Sequence, residues 1–204
     1  MPTPISTRPS VWQVFSAEPH RMLFLAGATQ ILLTLVWWLV ELATRATGFL
    51  SPSTALPAVW GHAFLMVYGV FPFFIFGFLF TVYPRWLRGT AIARRTYVPV
   101  FALLFGGILL FTAGLFLDRR IVALALMLFL AGWAGALVSL FRVYAHARER
   151  GPHERLLNLA LAAGLLGIAV FLAAVLTGSP PLFLLARELG LWLFLVPTVF
   201  LVSH

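Results

Sequence analysis

Polar and apolar positions in this chain separate into blocks: six apolar runs of about twenty residues each, divided by short stretches where charge, proline and glycine collect. Because an α-helix rises about 1.5 Å per residue and a bilayer core is about 30 Å thick, runs of this length predict membrane-spanning helices. The predicted spans are Met22–Leu42, Val59–Tyr83, Tyr97–Leu117, Ile121–Leu140, Leu156–Leu176 and Leu182–Ser203. A membrane β-barrel would show two-residue alternation in shorter segments, which these unbroken runs lack. The connections, such as Ser51-Pro52-Ser53 and Thr177-Gly178-Ser179-Pro180-Pro181, are too short to hold a soluble domain. The fold expected is therefore all-α, a polytopic transmembrane bundle of six helices. Residues 1–21 form an N-terminal segment and residues 22–204 the transmembrane domain. The first run extends past the core of a signal peptide and reads as a retained helix.

Composition agrees: 62% of the 204 residues are hydrophobic and 10% charged, far from the balance of a water-soluble domain. The net charge of +8 would suggest nucleic acid if the basic residues covered one soluble face. All fourteen are arginines, and they sit at the ends of the apolar runs, so the bilayer is the partner they indicate and nucleic acid is not. With the N-terminus inside, ten arginines (8, 21, 85, 88, 94, 95, 142, 148, 150 and 155) fall on the inner side and four (45, 119, 120 and 187) on the outer. This bias predicts that both termini are cytoplasmic. Tyr83 and Trp86 next to the Arg85–Arg95 cluster read as an interfacial aromatic belt and a basic anchor. The chain has no cysteine, which excludes disulfides, thiolate ligands and iron–sulfur clusters.

Small residues at four-residue spacing, Ala131/Gly135/Ser139, Ala160/Gly164 and Ala163/Gly167, predict close helix packing. His146 and His153 lie in a charged loop and read as solvated. Glu41 precedes Arg45 by four residues, so a local ion pair is expected. Arg187 and Glu188 are adjacent, and side chains one residue apart on a helix point in different directions, so they are not expected to pair with each other. They belong either at the outer interface or, if buried, to a functional polar pair.

His62 is an ionisable ring one turn into a phenylalanine-loaded run, and Met66 and Gly69 share its helix face. It reads either as an interfacial histidine bonded to water or a neighbouring helix, or as a ligand. Imidazole is the commonest metal-binding side chain, thioether sulfur suits haem or Cu(I), and aromatic neighbours would wall a porphyrin. The spacing alone leaves both readings open. The phenylalanines from Phe71 to Phe80 suit lipid contact or core filling as well as a cofactor pocket.

The run from His62 to Trp86, "HAFLMVYGVFPFFIFGFLFTVYPRW", resembles the NnrS family of multi-pass bacterial membrane proteins. The family segment reads His-Ala-His-Glu-Met, then Phe-Gly, then Gly-Phe-Leu-Leu-Thr-Ala and Pro-x-Trp. His62, Ala63, Met66, Gly69, Gly77, Phe78, Leu79, Thr81, Pro84 and Trp86 match it, while Phe64 and Leu65 replace its second histidine and its glutamate. The opening "EPHRMLFLAG" and the closing "LVSH" are compatible with the family and add His20 and His204 as candidate ligands. The resemblance implies a location in the bacterial inner membrane, haem and/or copper as cofactor, and a part in the response to nitric oxide or denitrification stress. It also implies about twelve helices in a whole family member, so this chain looks like a first half that would join a second half-domain or an oligomer.

Topology limits the ligand sets. His20 and His204 belong to the inner ends of their helices and His62 to an outer end, about 30 Å away, so the two sets cannot share one iron. A bis-histidine haem would use His20 with His204; a site at His62 would use Met66, a tyrosine or a ligand from outside the chain. The expected role is binding rather than turnover. A competing class is a small permease in which Pro72 and Pro197 break helices near mid-membrane and Arg187 with Glu188 lines a polar route. A purely structural membrane subunit is the third. The last run also stops at His204 without a basic anchor, which leads to the expectation that the natural chain continues.

Overall fold

A computed structural model describes residues 9–48, 53–148 and 150–203, and every regular element among them is helical. A short helix α1, Val11–Phe15, precedes six long ones: α2 (Pro19–Thr47), α3 (Ala58–Trp86), α4 (Arg94–Leu117), α5 (Arg119–Ala145), α6 (Pro152–Thr177) and α7 (Pro180–Val202). All six are long and apolar enough to cross a membrane, as the apolar runs predict. Each begins or ends a few residues beyond its run, because capping groups rather than hydropathy set helix ends. Thus α2, α6 and α7 start on prolines, whose missing N–H is no loss in a first turn. Gly48 and Gly178 terminate α2 and α6 in the left-handed conformation (φ 66° and 74°), which costs a side chain about 1 kcal/mol or more.

The helices pack mainly as neighbours in sequence, α4 with α5, α5 with α6 and α6 with α7, while α2 lies along α3. Helices α4 and α5 are joined by one residue, Asp118, which ends the first and caps the second by accepting a 2.6 Å hydrogen bond from the Arg120 amide. Their backbones touch through Gly107, Gly114 and Gly132; a Cβ on Gly132 would lie 2.9 Å from the Leu104 amide nitrogen. The seam therefore runs through Gly132 and not Ala131, which is exposed. Gly135 still faces Val100 of α4, and Gly164 faces Trp133.

Helix α3 is the centre of the bundle. Along its most apolar stretch 72% of residues are buried, against 28–44% in the other five spans. Its phenylalanines are therefore mostly core: Phe64, Phe73, Phe76 and Phe80 are buried, and only Phe71 of the group is exposed.

Neither interior proline breaks its helix. Both spans run through, and each widens into a π-helical stretch just ahead of the proline, Leu65–Val70 before Pro72 and Leu189–Leu195 before Pro197. Proline removes one N–H and crowds the carbonyl four residues earlier; an i to i−5 bond, as Val196 N–H makes to Leu191, relieves that crowding. The two stretches pack against each other, and at their meeting the Tyr68 hydroxyl donates to the Ala186 carbonyl at 2.7 Å. Tyr68 stacks with Phe194 and meets Trp133 edge-on, while Trp133 Nε1–H donates to the Leu161 carbonyl at 2.9 Å.

Candidate functional site

Helix α3 starts at Ala58, so His62 sits on its second turn and faces the last third of α2. Its ring lies flat on Trp38, centroids 3.9 Å apart and planes 10° from parallel, with Trp37 at 6.4 Å. Trp38 also carries the Arg45 guanidinium over its ring at 5.6 Å. Arg45 in turn donates from Nε and an Nη to one oxygen of Glu41, at 2.9 and 2.8 Å. The expected i, i+4 pair is therefore present, and it closes one end of a continuous cluster of Glu41, Arg45, Trp38, Trp37 and His62.

Three polar atoms of that cluster are shielded from solvent and have no hydrogen-bond partner among the described residues: His62 Nδ1, Trp37 Nε1 and Glu41 Oε2. An unsatisfied buried polar atom costs about 1–3 kcal/mol, so three on one two-helix contact mark a polar environment that the described residues do not complete. Trp38 covers one face of the His62 ring, so coordination here would use a ring nitrogen in the plane of the ring. Glu41 is the residue that sequence reasoning set aside. Its pairing with Arg45 was legible, but its burial to 4% exposure was not, because that depends on how α2 meets its neighbours.

Met66 lies one turn on from His62, half-buried, at the entry to the first π-helical stretch. His20 is at the other end of the bundle. Its Nδ1 is 3.4 Å from the Thr81 hydroxyl of α3, and Thr81 is nineteen residues, roughly 28 Å, along that helix from His62. Thus His62 and His20 cannot meet at one centre. His204 lies outside the described residues. No cluster of three or more His, Asp or Glu side chains able to hold a metal ion occurs among the described residues.

Arg187 and Glu188 correct the sequence reading. They bond to each other, Arg187 Nε and an Nη donating to one Glu188 oxygen at 3.0 and 2.6 Å. Their Cα–Cβ bonds diverge, but both side chains are long and about half exposed, 42% and 46%, so they bend together outside the bundle. Arg187 lines a cavity of only about 10 Å³ with Val67, Tyr68 and Phe183, and among the described residues the aromatic side chains of Tyr68, Trp133 and Phe194 fill the space between the π-helical stretches.

A family model described as "NnrS protein" matches residues 14–204. The chain belongs to the NnrS family. None of the curated proteins and none of the solved structures matches it. As an NnrS family member with six long apolar helices it is a multi-pass membrane protein. Its two departures from the motif now have a physical reading. Phe64 stacks between Phe111 and Phe171 at 4.5 and 4.6 Å, and Leu65 is wholly buried. Both positions point into the aromatic core, where an imidazole or carboxylate would have no partner.

Proposed function

We propose that this NnrS family protein binds haem and/or copper at its His62 end and serves the response to nitric oxide or denitrification stress in the bacterial inner membrane. The observation that carries the reading is the buried, unpartnered Nδ1 of His62, held in an aromatic setting one turn from Met66. The donor set fits a soft or borderline metal: imidazole nitrogen from His62 and thioether sulfur from Met66. A bound metal would supply the coordination position to which nitric oxide adds. The chain's own residues orient the ring: Trp38 clamps one face of His62, Trp37 flanks it, and Arg45, paired with Glu41 on the same face of α2, sits over Trp38. His20, bonded to Thr81, is a second candidate ligand at the opposite end, together with His204. In this reading both termini and the arginine-rich end face the cytoplasm, and a second half-domain or an oligomer supplies further ligands.

The test is the visible spectrum and metal content of protein purified in detergent from cells replete in haem and copper. A Soret band with iron, or stoichiometric copper, supports the reading. Colourless, metal-free protein overturns it for this chain alone.

A further inference from the structure

The end of the bundle opposite His62 carries its own candidate site. The α3–α4 connection, residues 87–93, runs between two clefts. The one against α5 encloses about 270 Å³ and is lined by Thr90, Thr96, Ser139, Arg142 and His146 among others, with no carboxylate. The Arg142 guanidinium and the Thr90 and Thr96 hydroxyls make no hydrogen bond or ion pair to another described residue, whereas His146 Nδ1 is held 2.7 Å from the Arg142 carbonyl. The neighbouring cleft, about 350 Å³, adds Arg85 and Arg94 against a single acid, Glu18, and Arg88 and Arg148 line a third opening beside Trp86.

Arginines at the His62 end are treated differently. Arg45 is neutralised by Glu41, Arg187 by Glu188, and Arg119 bonds the Val175 carbonyl. Three of the four arginines at the His62 end are thus bonded, Arg120 being the exception, whereas at the opposite end Arg94 donates to Ser16 but Arg85, Arg88, Arg142 and Arg148 make no side-chain bond to another described residue, at the level of the half-exposed Trp86, where lipid headgroups lie. A guanidinium flanked by free hydroxyls and a histidine in a cleft between helices is the donor set for a phosphate oxygen fork.

We propose that the cleft formed by Thr90, Thr96, Arg142 and His146 binds a phosphate group, carried by an anionic lipid headgroup or free in solution. The experiment uses the whole chain in nanodiscs of phosphatidylcholine with and without phosphatidylglycerol, and reads lipid retained on release into the gas phase by native mass spectrometry. The wild type retains phosphatidylglycerol in preference to phosphatidylcholine. Arg142→Gln lowers that retention about fivefold, the factor one basic residue near the surface contributes, and Arg142→Lys keeps most of it. Arg120→Gln is the matched control: it removes the same charge from the same helix about 33 Å away and leaves retention unchanged. Inorganic phosphate added to phosphatidylcholine nanodiscs separates the sources. Thermal stabilisation by phosphate that Arg142→Gln abolishes assigns the free ion; retention of phosphatidylglycerol that phosphate does not compete away assigns the lipid. Equal losses in the Arg142 and Arg120 variants, or no response to either probe, overturn the proposal.

Discussion

The hydroxyl of Tyr68, in the first π-helical stretch, donates to the carbonyl of Ala186, in the turn just ahead of the second, and it does so in space that only glycine leaves open. A Cβ on Gly167 would collide with that hydroxyl oxygen, and its next contacts are the Tyr68 Cζ at 3.1 Å and the Ala186 oxygen at 3.4 Å. A Cβ on Gly190 would collide with the hydroxyl as well, but it would also lie 2.6 Å from Tyr68 Cζ and 2.8 Å from Val67 Cγ1. One side chain therefore fixes two glycines, in different ways.

That geometry predicts an unequal rescue. Tyr68→Phe alone should cost about 1 kcal/mol or less, since the Ala186 carbonyl loses the hydroxyl but keeps the Leu189 amide. Gly167→Ala should be strongly destabilising in the wild type and close to neutral in the Tyr68→Phe background, because the clash is with the deleted oxygen. Gly190→Ala should stay destabilising in both. Thermal unfolding of the five variants in one detergent checks this; equal behaviour of the two glycines would remove the Tyr68 hydroxyl as the cause.

At His62, packing and ligation can be separated. The ring stacks on Trp38, so His62→Ala should lose about 0.5–1.5 kcal/mol of stability besides any ligand. His62→Phe keeps the stack and removes the nitrogen. The expectation is that His62→Phe retains near wild-type melting and expression but loses metal content and nitric-oxide protection. Unchanged metal and protection in His62→Phe would take His62 out of the site.

The number of spans and their approximate positions were legible in the sequence because lipid imposes length and composition directly on each helix, while their ends, set by caps, were not. The Glu41–Arg45 pair was legible because it is local. What was not legible depends on packing between helices. The seam of α4 and α5 lies on Gly132 and not Ala131 because the helices' rotation, set by Phe129 and Leu104, is a tertiary property. The prolines at 72 and 197 signalled local irregularity, but whether a helix breaks or widens depends on what stands beside it, here Tyr68 and Ala186. Arg187 with Glu188 was misread because directions at Cβ say little about where long exposed side chains end.

Glu41 offers an asymmetric test. Its carboxylate is buried with one oxygen bonded to Arg45 and the other without a partner among the described residues. Removing only the arginine leaves a buried charge, whereas removing both leaves an apolar contact. Arg45→Leu should therefore destabilise by about 1–3 kcal/mol, and Glu41→Leu with Arg45→Leu by clearly less. If the bilayer end of α2 hydrates Glu41 freely, the single and double variants will melt together, and Glu41 would no longer count among the polar atoms that the His62 cluster leaves unsatisfied.

The remaining prediction concerns which end of the bundle faces the cytoplasm. Contacts group the helix ends into two sets: Ser16, His20, Thr81, Tyr83, Arg94 and Asn158 meet at one, and Ala55, Leu115, Arg119 and Val175 at the other. Nine of the ten arginines assigned to the inner side lie at or beyond the first set and among the described residues, Arg8 being outside them, while Arg45, Arg119, Arg120 and Arg187 belong to the second. Retention of arginine on the cytoplasmic side during insertion then orients the molecule with the 87–93 connection inside and residue 53 outside. Both Ser53 and Thr90 are exposed, and the chain has no cysteine, so single cysteines at these positions give clean reporters. A membrane-impermeant maleimide applied to intact spheroplasts should label Ser53→Cys and leave Thr90→Cys unlabelled until the cells are lysed. Labelling of Thr90→Cys in intact spheroplasts would invert the topology and place the His62 cluster on the cytoplasmic side.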